Sequence, residues 1–350
     1  MLHIRMNGIW KSIGILTAVL MLFSFLAAGT LAAQEKSSRS SRSAGSDQIE
    51  DVTVILEWIP NTNHTGVFVA ERKGWFEEEG LDVEIKRPAQ SQTPLMVASG
   101  KADFGFAPQE MVTFARAADN PVPVKSIATV NRHNTSGFAA PADRNIDEVA
   151  DFEGKTYGGW GSEFEEALLQ AVMEQAGADF STVKIVNVGT TDFIGSFRQG
   201  IDFRWIFYGW DGVRADIGGM DIDYIPLIEI DPQLDYYTPT LITRTKMIEQ
   251  DPETVRAFLR AVERGYTWAA HNPDEAADIM LQVNDDLSPE FVHASQRYLS
   301  KQYLDENGRW GYMEEKLWRN FGDFLGEYGL LDESFDPEDA YTNEFLPGED

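Results

Sequence analysis

Strands that alternate with helices, in a pattern that restarts once midway, predict an α/β protein of two lobes joined by a two-segment hinge. Three observations carry this. Residues 52–85 read as strand, turn, helix, strand. From Ile146 the alternation begins again. Beyond Asp251 the chain is mainly helical.

The elements follow in order. Val52 to Leu56 is β-branched and apolar, a buried strand, and Pro60-Asn61-Thr62-Asn63-His64-Thr65-Gly66 is a polar turn at its end. Val67, Phe68, Ala70, Gly74 and Trp75-Phe76 lie on a helix that ends before Gly80, and Leu81 to Ile85 alternates apolar and acidic residues as a second strand. Gln92 to Ser99 is an amphipathic helix stopped by Gly100, Ala102 to Ala107 a strand, Gln109 to Ala118 a helix, and Val122 to Asn131 a strand. Phe138-Ala139-Ala140-Pro141 reads as a crossover. Strands are then expected over 156–160, 183–188, 203–208 and 223–228, with helices over 163–174 and 192–200. Tyr237-Thr238-Pro239-Thr240 crosses back and Leu241-Ile242-Thr243 rejoins the first sheet. Asp251 is the expected N-cap of a helix entered at Pro252. The expected division is 51–138 with 241–337 as lobe I, 139–240 as lobe II, and 338–350 as a loose acidic tail. No repeat of fixed period is visible.

Ser12 to Ala33 carries no charge, follows Arg5 and Lys11, and ends in small residues, the layout of a secretory signal peptide over 1–33. An apolar run of that length would also span a bilayer if left uncleaved, as an anchor. Residues 34–50 are Ser- and Arg-rich and read as a flexible linker. The folded part is therefore expected outside the cytoplasmic membrane, in the periplasm or on the extracellular face.

The net charge of the 350 residues is −28. Five basic and three acidic residues fall in 1–50, which leaves 24 basic and 54 acidic beyond it. Such a surface repels nucleic acid and anionic headgroups and favours solubility. With no cysteine there is no disulfide, thiolate metal site or thiol nucleophile. No GxSxG elbow or HExxH helix occurs, and the five histidines lie far apart, so no catalytic residue, metal or cofactor is expected.

In open α/β sheets ligands sit at the carboxyl ends of strands. Trp58, Asn61, Asn63 and His64 fall at the first such end, Gln109 after 102–107, Thr135, Ser136 and Gly137 after 122–131, Trp160 and Gly161 after 156–160, and Tyr208, Trp210 and Asp211 after 203–208. Indole and phenol faces suit a flat ring, and polar groups suit its edge. Core packing is the plainer reading of the aromatics, above all for Phe203, Trp205 and Phe207 inside their strand. Ordinary turn chemistry is the plainer reading of His133 to Gly137 and of Asp211. The backbone N–H groups of Gly158-Gly159-Trp160-Gly161 are candidates for a carbonyl or formyl oxygen. An acid that pairs a ring nitrogen and its neighbouring amine is sought among Asp211, Glu163, Glu165, Glu57 and Glu110. Glu163 and Glu165 are equally explained by the helix dipole.

Residues 52–85, SGKADFG (99–105), HNTSGFA (133–139), FEGKTYGGWG (152–161) and IDFRWIFYGWDG (201–212) together resemble the periplasmic binding proteins that deliver thiamine pyrimidine precursors to ABC importers, over roughly residues 51–330. The resemblance implies the type II periplasmic binding protein fold. It also implies a hydroxymethyl- or N-formyl-aminomethyl-pyrimidine ligand, and membrane permease and ATPase partners. The family commonly has Glu where this chain has Asp211. Same-fold proteins for sulfonates, taurine, nitrate or bicarbonate are the nearest alternative. Anions want Arg, Lys or helix N-termini, and these segments offer chiefly Arg132 and Arg204. The fungal pyrimidine-precursor synthase is the enzyme alternative. It resembles a binding protein that uses a pyridoxal-linked lysine and an iron-bound cysteine cluster, whereas this chain has no cysteine, and Ala107-Pro108-Gln109-Glu110 has no lysine. A purely structural surface protein is the third.

Overall fold

Val52, Val54 and Ile55 are buried and lie in the first strand. The computed structural model describes residues 49–87, 92–189, 191–331 and 335–348; the expected leader and nearly all of the expected linker (1–48) lie outside them. In chain order the strands are β1 (Glu50–Ile55), β2 (Leu81–Lys86), β3 (Phe104–Ala107), β4 (Val124–Thr129), β5 (Ser136–Pro141), β6 (Thr156–Gly159), β7 (Lys184–Asn187), β8 (Arg204–Phe207), β9 (Ile222–Pro226) and β10 (Thr240–Arg244). The first sheet has the order β2-β1-β3-β10-β4, with β10 antiparallel to both neighbours. The second has β8-β5-β9, with β5 antiparallel to both neighbours. The parallel pair β7-β6 continues it through a bridge between Tyr157 and Phe203. Both sheets therefore repeat one arrangement, each with a single reversed strand, although the sequence has no visible period.

The helices are α1 (Thr65–Arg72), α2 (Trp75–Glu78), α3 (Thr93–Ala98), α4 (Gln109–Ala117), α5 (Glu163–Gln175), α6 (Phe193–Phe197), α7 (Val213–Gly218), α8 (Leu227–Ile230), α9 (Thr245–Gln250), α10 (Pro252–His271), α11 (Pro273–Val283), α12 (Pro289–Leu299) and α13 (Glu315–Glu327). None in the described residues is long and apolar enough to cross a membrane. Two aromatic stacks anchor the two sheets. Phe104 stacks on Phe258 of α10 at 3.9 Å in the first, and Phe152 on Phe203 at 4.1 Å in the second. Phe203 and Trp205 are core, as the plainer reading had it.

The segments that run between the sheets are bonded to each other. Val130 N–H donates to Pro239 O at 3.0 Å, Asn131 Nδ2 to Thr238 O at 3.0 Å, and Asn134 N–H to Asp235 Oδ1 at 2.9 Å. His133 Nδ1 lies 2.7 Å from Asp235 Oδ2, and that bond raises the histidine pKa.

Several expectations need correction. The helix expected through Gly74 is two helices, because Gly74 takes a left-handed turn (φ 74°). Phe138 to Pro141 is no crossover but most of β5; the crossing lies at 130–135, so the boundary expected at 138 cuts a strand. Asp251 does stand at the N-cap of α10, as expected, but without a side-chain cap hydrogen bond. Phe321, Phe324 and Leu325 of α13 pack in the core of the second sheet, not the first, with Phe321 stacked on Tyr236 at 4.2 Å. The acidic segment from 338 is no loose tail through 348. Ser126 N–H donates to Ala340 O at 2.8 Å, and Phe345 and Leu346 are buried.

One close approach fixes how α1 lies on α10. A Cβ on Gly265 would fall 2.0 Å from Gly66 O, and one on Gly66 would fall 2.1 Å from the Tyr266 ring. Gly265→Ala is expected to cost about 2 kcal/mol or more by overpacking. Gly326→Ala, with nothing within 4 Å of its Cβ, should be neutral or gain up to about 1 kcal/mol from helix propensity. Equilibrium denaturation of the pair checks this; equal midpoints would contradict the crossing.

Candidate functional site

The carboxyl ends of β1, β3 and β8, with the crossing segments, enclose a cavity of about 330 Å3. Its walls divide by chemistry. Trp58, Trp160, Trp210 and Phe207 give aromatic surface, Glu57, Glu110 and Asp211 give carboxyl groups, and Asn61, Thr62, Asn63, Thr135 and Thr238 give neutral polar groups. No lysine or arginine lines it among the described residues. Among those residues no group of three or more His, Asp or Glu is arranged to hold a metal ion.

The wall after β1 is a self-bonded turn. Asn61 Oδ1 accepts from Asn63 N–H at 2.8 Å, and His64 Nδ1 accepts from Asn61 N–H at 3.1 Å. With Nδ1 an acceptor, the neutral ring carries its proton on Nε2, which donates to Glu57 Oε2 at 2.8 Å. His64 is fully buried and stands edge-on to Phe106. It was expected on the ligand; it holds the turn and Glu57 instead. The turn is also held from outside. Its carbonyl oxygens at Pro60, Thr62 and Asn63 accept from Asn284 Nδ2 (3.0 Å), Tyr303 Oη (2.6 Å) and Tyr266 Oη (2.6 Å). Trp58 and Asn61 project from this fixed turn, and Asn63 Oδ1 accepts from Asn131 Nδ2 at 3.0 Å.

The second wall follows β6. Glu165 of α5 turns back and accepts from Trp160 N–H at 2.8 Å, Gly161 N–H at 3.0 Å and Tyr157 Oη at 2.7 Å. The amides expected to meet a ligand oxygen are thus taken by a side chain of the same chain, and Gly161 does not line the cavity. Glu163, two residues earlier, faces out and is exposed. Trp160, held by its own backbone, lines the cavity and stacks on Phe207 at 6.1 Å and 17°.

The third wall was not anticipated. Tyr208–Gly212 forms one turn of π-helix after β8, a wide turn frequent at functional sites. Glycine permits it: a Cβ on Gly212 would meet the Tyr208 ring at 2.7 Å. The turn puts Gly209, Trp210 and Asp211 on the cavity. Tyr208 does not line it; its ring packs between Tyr224 and Tyr298, and its hydroxyl donates to Asp216 at 3.1 Å. Trp210 meets Trp58 edge-on at 5.1 Å and 67°, so the two walls touch through indoles. Burial pushes the Asp211 carboxyl up to about 6, against the pull of Arg204 and Arg214.

The remaining candidates divide. Thr135 lines the cavity. Ser136 is buried with its N–H and Oγ on Asn134 Oδ1. Gly137 lies inside β5, where a Cβ would meet Ile225 O at 2.4 Å. Gln109 is fully buried and pairs with the Tyr237 backbone at 2.9 Å in both directions. These three serve the frame rather than the cavity. The group sequence reasoning undervalued is Glu110, which lines the cavity from the first turn of α4 and whose carboxyl burial raises to about 8.

A family model described as NMT1/THI5 like matches residues 61–276. The formylaminopyrimidine-binding protein of Halalkalibacterium halodurans is 29% identical over 342 residues, 95% of this chain and 98% of that protein. The 4-amino-5-hydroxymethyl-2-methylpyrimidine phosphate synthase of Legionella pneumophila is 26% identical over 304 residues, 85% of this chain and 92% of that protein. Among solved structures, the putative sulfonate-binding protein SsuA of Methylobacillus flagellatus matches with a TM-score of 0.62 at 18% identity, over 85% of this chain and 93% of that one. That likeness carries the fold, the α/β periplasmic binding protein architecture.

Glu165→Ala would leave two backbone amides and the buried Tyr157 hydroxyl without their acceptor. Its expected cost is about 2 kcal/mol or more in chemical denaturation. A variant as stable as the parent would remove Glu165 as the organiser of the Trp160 wall.

Proposed function

The chain belongs to the NMT1/THI5-like family, and from that premise we propose that it is a solute-binding subunit of an ABC importer whose ligand is a thiamine-related pyrimidine. The observation that carries the reading is the make-up of the cavity wall. Three indoles and a phenyl ring stand beside three carboxyl groups, with no lysine or arginine among the described lining residues. Such a site suits a flat, neutral or weakly basic nitrogen ring, gripped on its faces and read at its edge. A sulfonate or nitrate would meet carboxyl groups where it needs cations. The ligand is the hydroxymethyl- or the N-formyl-aminomethyl-pyrimidine.

The protein works outside the cytoplasmic membrane and catalyses nothing on its ligand. The absence of cysteine from the sequence and of lysine from the described wall supports binding over synthesis. The chain crosses between the lobes in segments 130–135 and 231–239, which act as the hinge. Ligand bridging the walls after β1 and β8 stabilises the closed form, which the permease recognises. Asp211, on the π-turn, pairs the exocyclic amine.

Mass spectrometry of solutes that co-purify with the native protein tests the ligand class directly; a sulfonate in place of a pyrimidine would overturn it. In calorimetry with 4-amino-5-hydroxymethyl-2-methylpyrimidine, Trp58→Ala and Trp160→Ala should each weaken binding roughly tenfold or more with the fold intact. Unchanged affinity in both would take the indoles out of the site. Asp211→Asn should cost this ligand about tenfold more than it costs an analogue without the exocyclic amine. Equal losses for the two ligands would count against edge pairing by Asp211.

A further inference from the structure

Two residues that line the cavity, Glu110 and Thr238, each carry a side-chain oxygen, Oε2 and Oγ1, that is shut off from solvent and has no hydrogen-bond partner. Burying a carboxyl oxygen without a partner is costly unless something else completes it. Glu110 is held on a fixed base, in the first turn of α4 and directly beyond the carboxyl end of β3. It therefore stands on the first-sheet wall, while Asp211 stands on the π-turn of the second.

We propose, building on the pyrimidine reading, that Glu110 is a specificity-determining contact that meets the ligand as an uncharged carboxyl. Its hydroxyl donates to a ring nitrogen, and its carbonyl oxygen accepts from an adjacent N–H. Glu110 takes the ring nitrogen and the amine N–H beside it, which leaves the other N–H of the same amine to Asp211, so the site selects uncharged nitrogen heterocycles that present an acceptor beside a donor.

The surroundings support this. Burial is the largest influence on Glu110 and raises its pKa to about 8, with its own backbone N–H acting in the opposite sense, so the proton is in place at neutral pH. The charged groups on elements packed against α4 are committed elsewhere. Lys125 of β4 donates to Glu338 O, and Arg116 of α4 itself lies 4.0 Å from Asp339. The segment of α3 carries no titratable residue. Tyr236, from the returning crossover, is buried and its hydroxyl is raised further by Glu110. The other ionisable groups of the described wall are Glu57, bonded to His64, and Asp211.

The sign of the pH dependence follows. Ligand binds the protonated form, so affinity holds below the Glu110 pKa and falls up to tenfold per pH unit above about 8. Calorimetry on the full chain with 4-amino-5-hydroxymethyl-2-methylpyrimidine, at roughly pH 7 and pH 9 so that Asp211 stays ionised throughout, reads this out. Wild type should lose about tenfold between the two. Glu110→Gln keeps a donor and an acceptor in place; it should bind within about threefold of wild type at pH 7 and lose the pH dependence. Glu110→Leu should bind about tenfold or more weakly. If Gln is as damaging as Leu, Glu110 acts as a carboxylate on a cation and the uncharged contact is overturned. Leu equal to wild type removes the contact altogether. A wild-type affinity that is flat from pH 7 to pH 9 overturns the inference without any variant. Folded wild type that gives no binding at all overturns the pyrimidine reading, and this inference with it.

Discussion

The backbone of Pro60 to His64 is the constraint on which the cavity depends. A strand end followed by a turn with five consecutive polar residues would not hold one shape in water, since each peptide group has solvent to bond with instead. Here three carbonyl oxygens are taken by side chains from beyond residue 260, through Asn284, Tyr303 and Tyr266. The contact of Gly66 with Gly265 brings α10, and with it Tyr266, near enough to do so. Helices late in the chain thus set the shape of a turn near its start. Ser295 of α12 extends the same logic across the cavity. Its hydroxyl donates to Gly209 O at 2.5 Å and accepts from Thr62 Oγ1 at 2.6 Å, and so links the first turn to the π-turn of the other sheet.

The broad α/β plan was legible because β-branched runs and helical spacing are strong local signals, and the return near Tyr237 was legible because Pro and Thr follow an apolar stretch. What was missed has particular causes. Ser136, Gly137, Ala139 and Ala140 are small and weakly strand-forming, so β5 read as a crossover; its place between β8 and β9 is a tertiary effect. The π-turn at 208–212 has neither period 2 nor period 3.6 and escapes both templates. Glu163 and Glu165 are indistinguishable by composition, and only the folded turn decides that the second is buried and the first exposed. The acidic C-terminal stretch hid Phe345 and Leu346 among charges. At the site, Trp58, Asn61, Asn63, Thr135, Trp160, Trp210 and Asp211 line the cavity, while His64, Gln109, Ser136, Gly137, Gly161, Glu163 and Tyr208 do not. The residues in the second group mostly frame the first. Position at a strand end was readable, but side-chain direction was not.

The fold is shared with anion binders, so the fold alone does not fix the sign of the ligand. Nor does the net charge of −28, which lies mostly on the surface and is screened within about a Debye length. The sign is set by a few groups shielded from that surface. Glu110 and Asp211 are both pushed toward the neutral form, to about 8 and about 6. At neutral pH Glu110 is therefore protonated while Asp211 stays mostly ionised, so the cavity is less negative than its inventory of acids implies.

The edge-on contact between Trp58 and Trp210 has an optical consequence. Two indoles with centroids 5.1 Å apart and planes at 67° couple their near-ultraviolet transitions, giving a circular dichroism signal that neither ring has alone. One ring belongs to each wall, so the coupling reports the gap between them. A molecule sliding between the rings separates the transition dipoles and extinguishes that signal, and drifting of the walls does the same without any molecule. The protein therefore carries its own label-free gauge of aperture, written in the absorption band of two side chains.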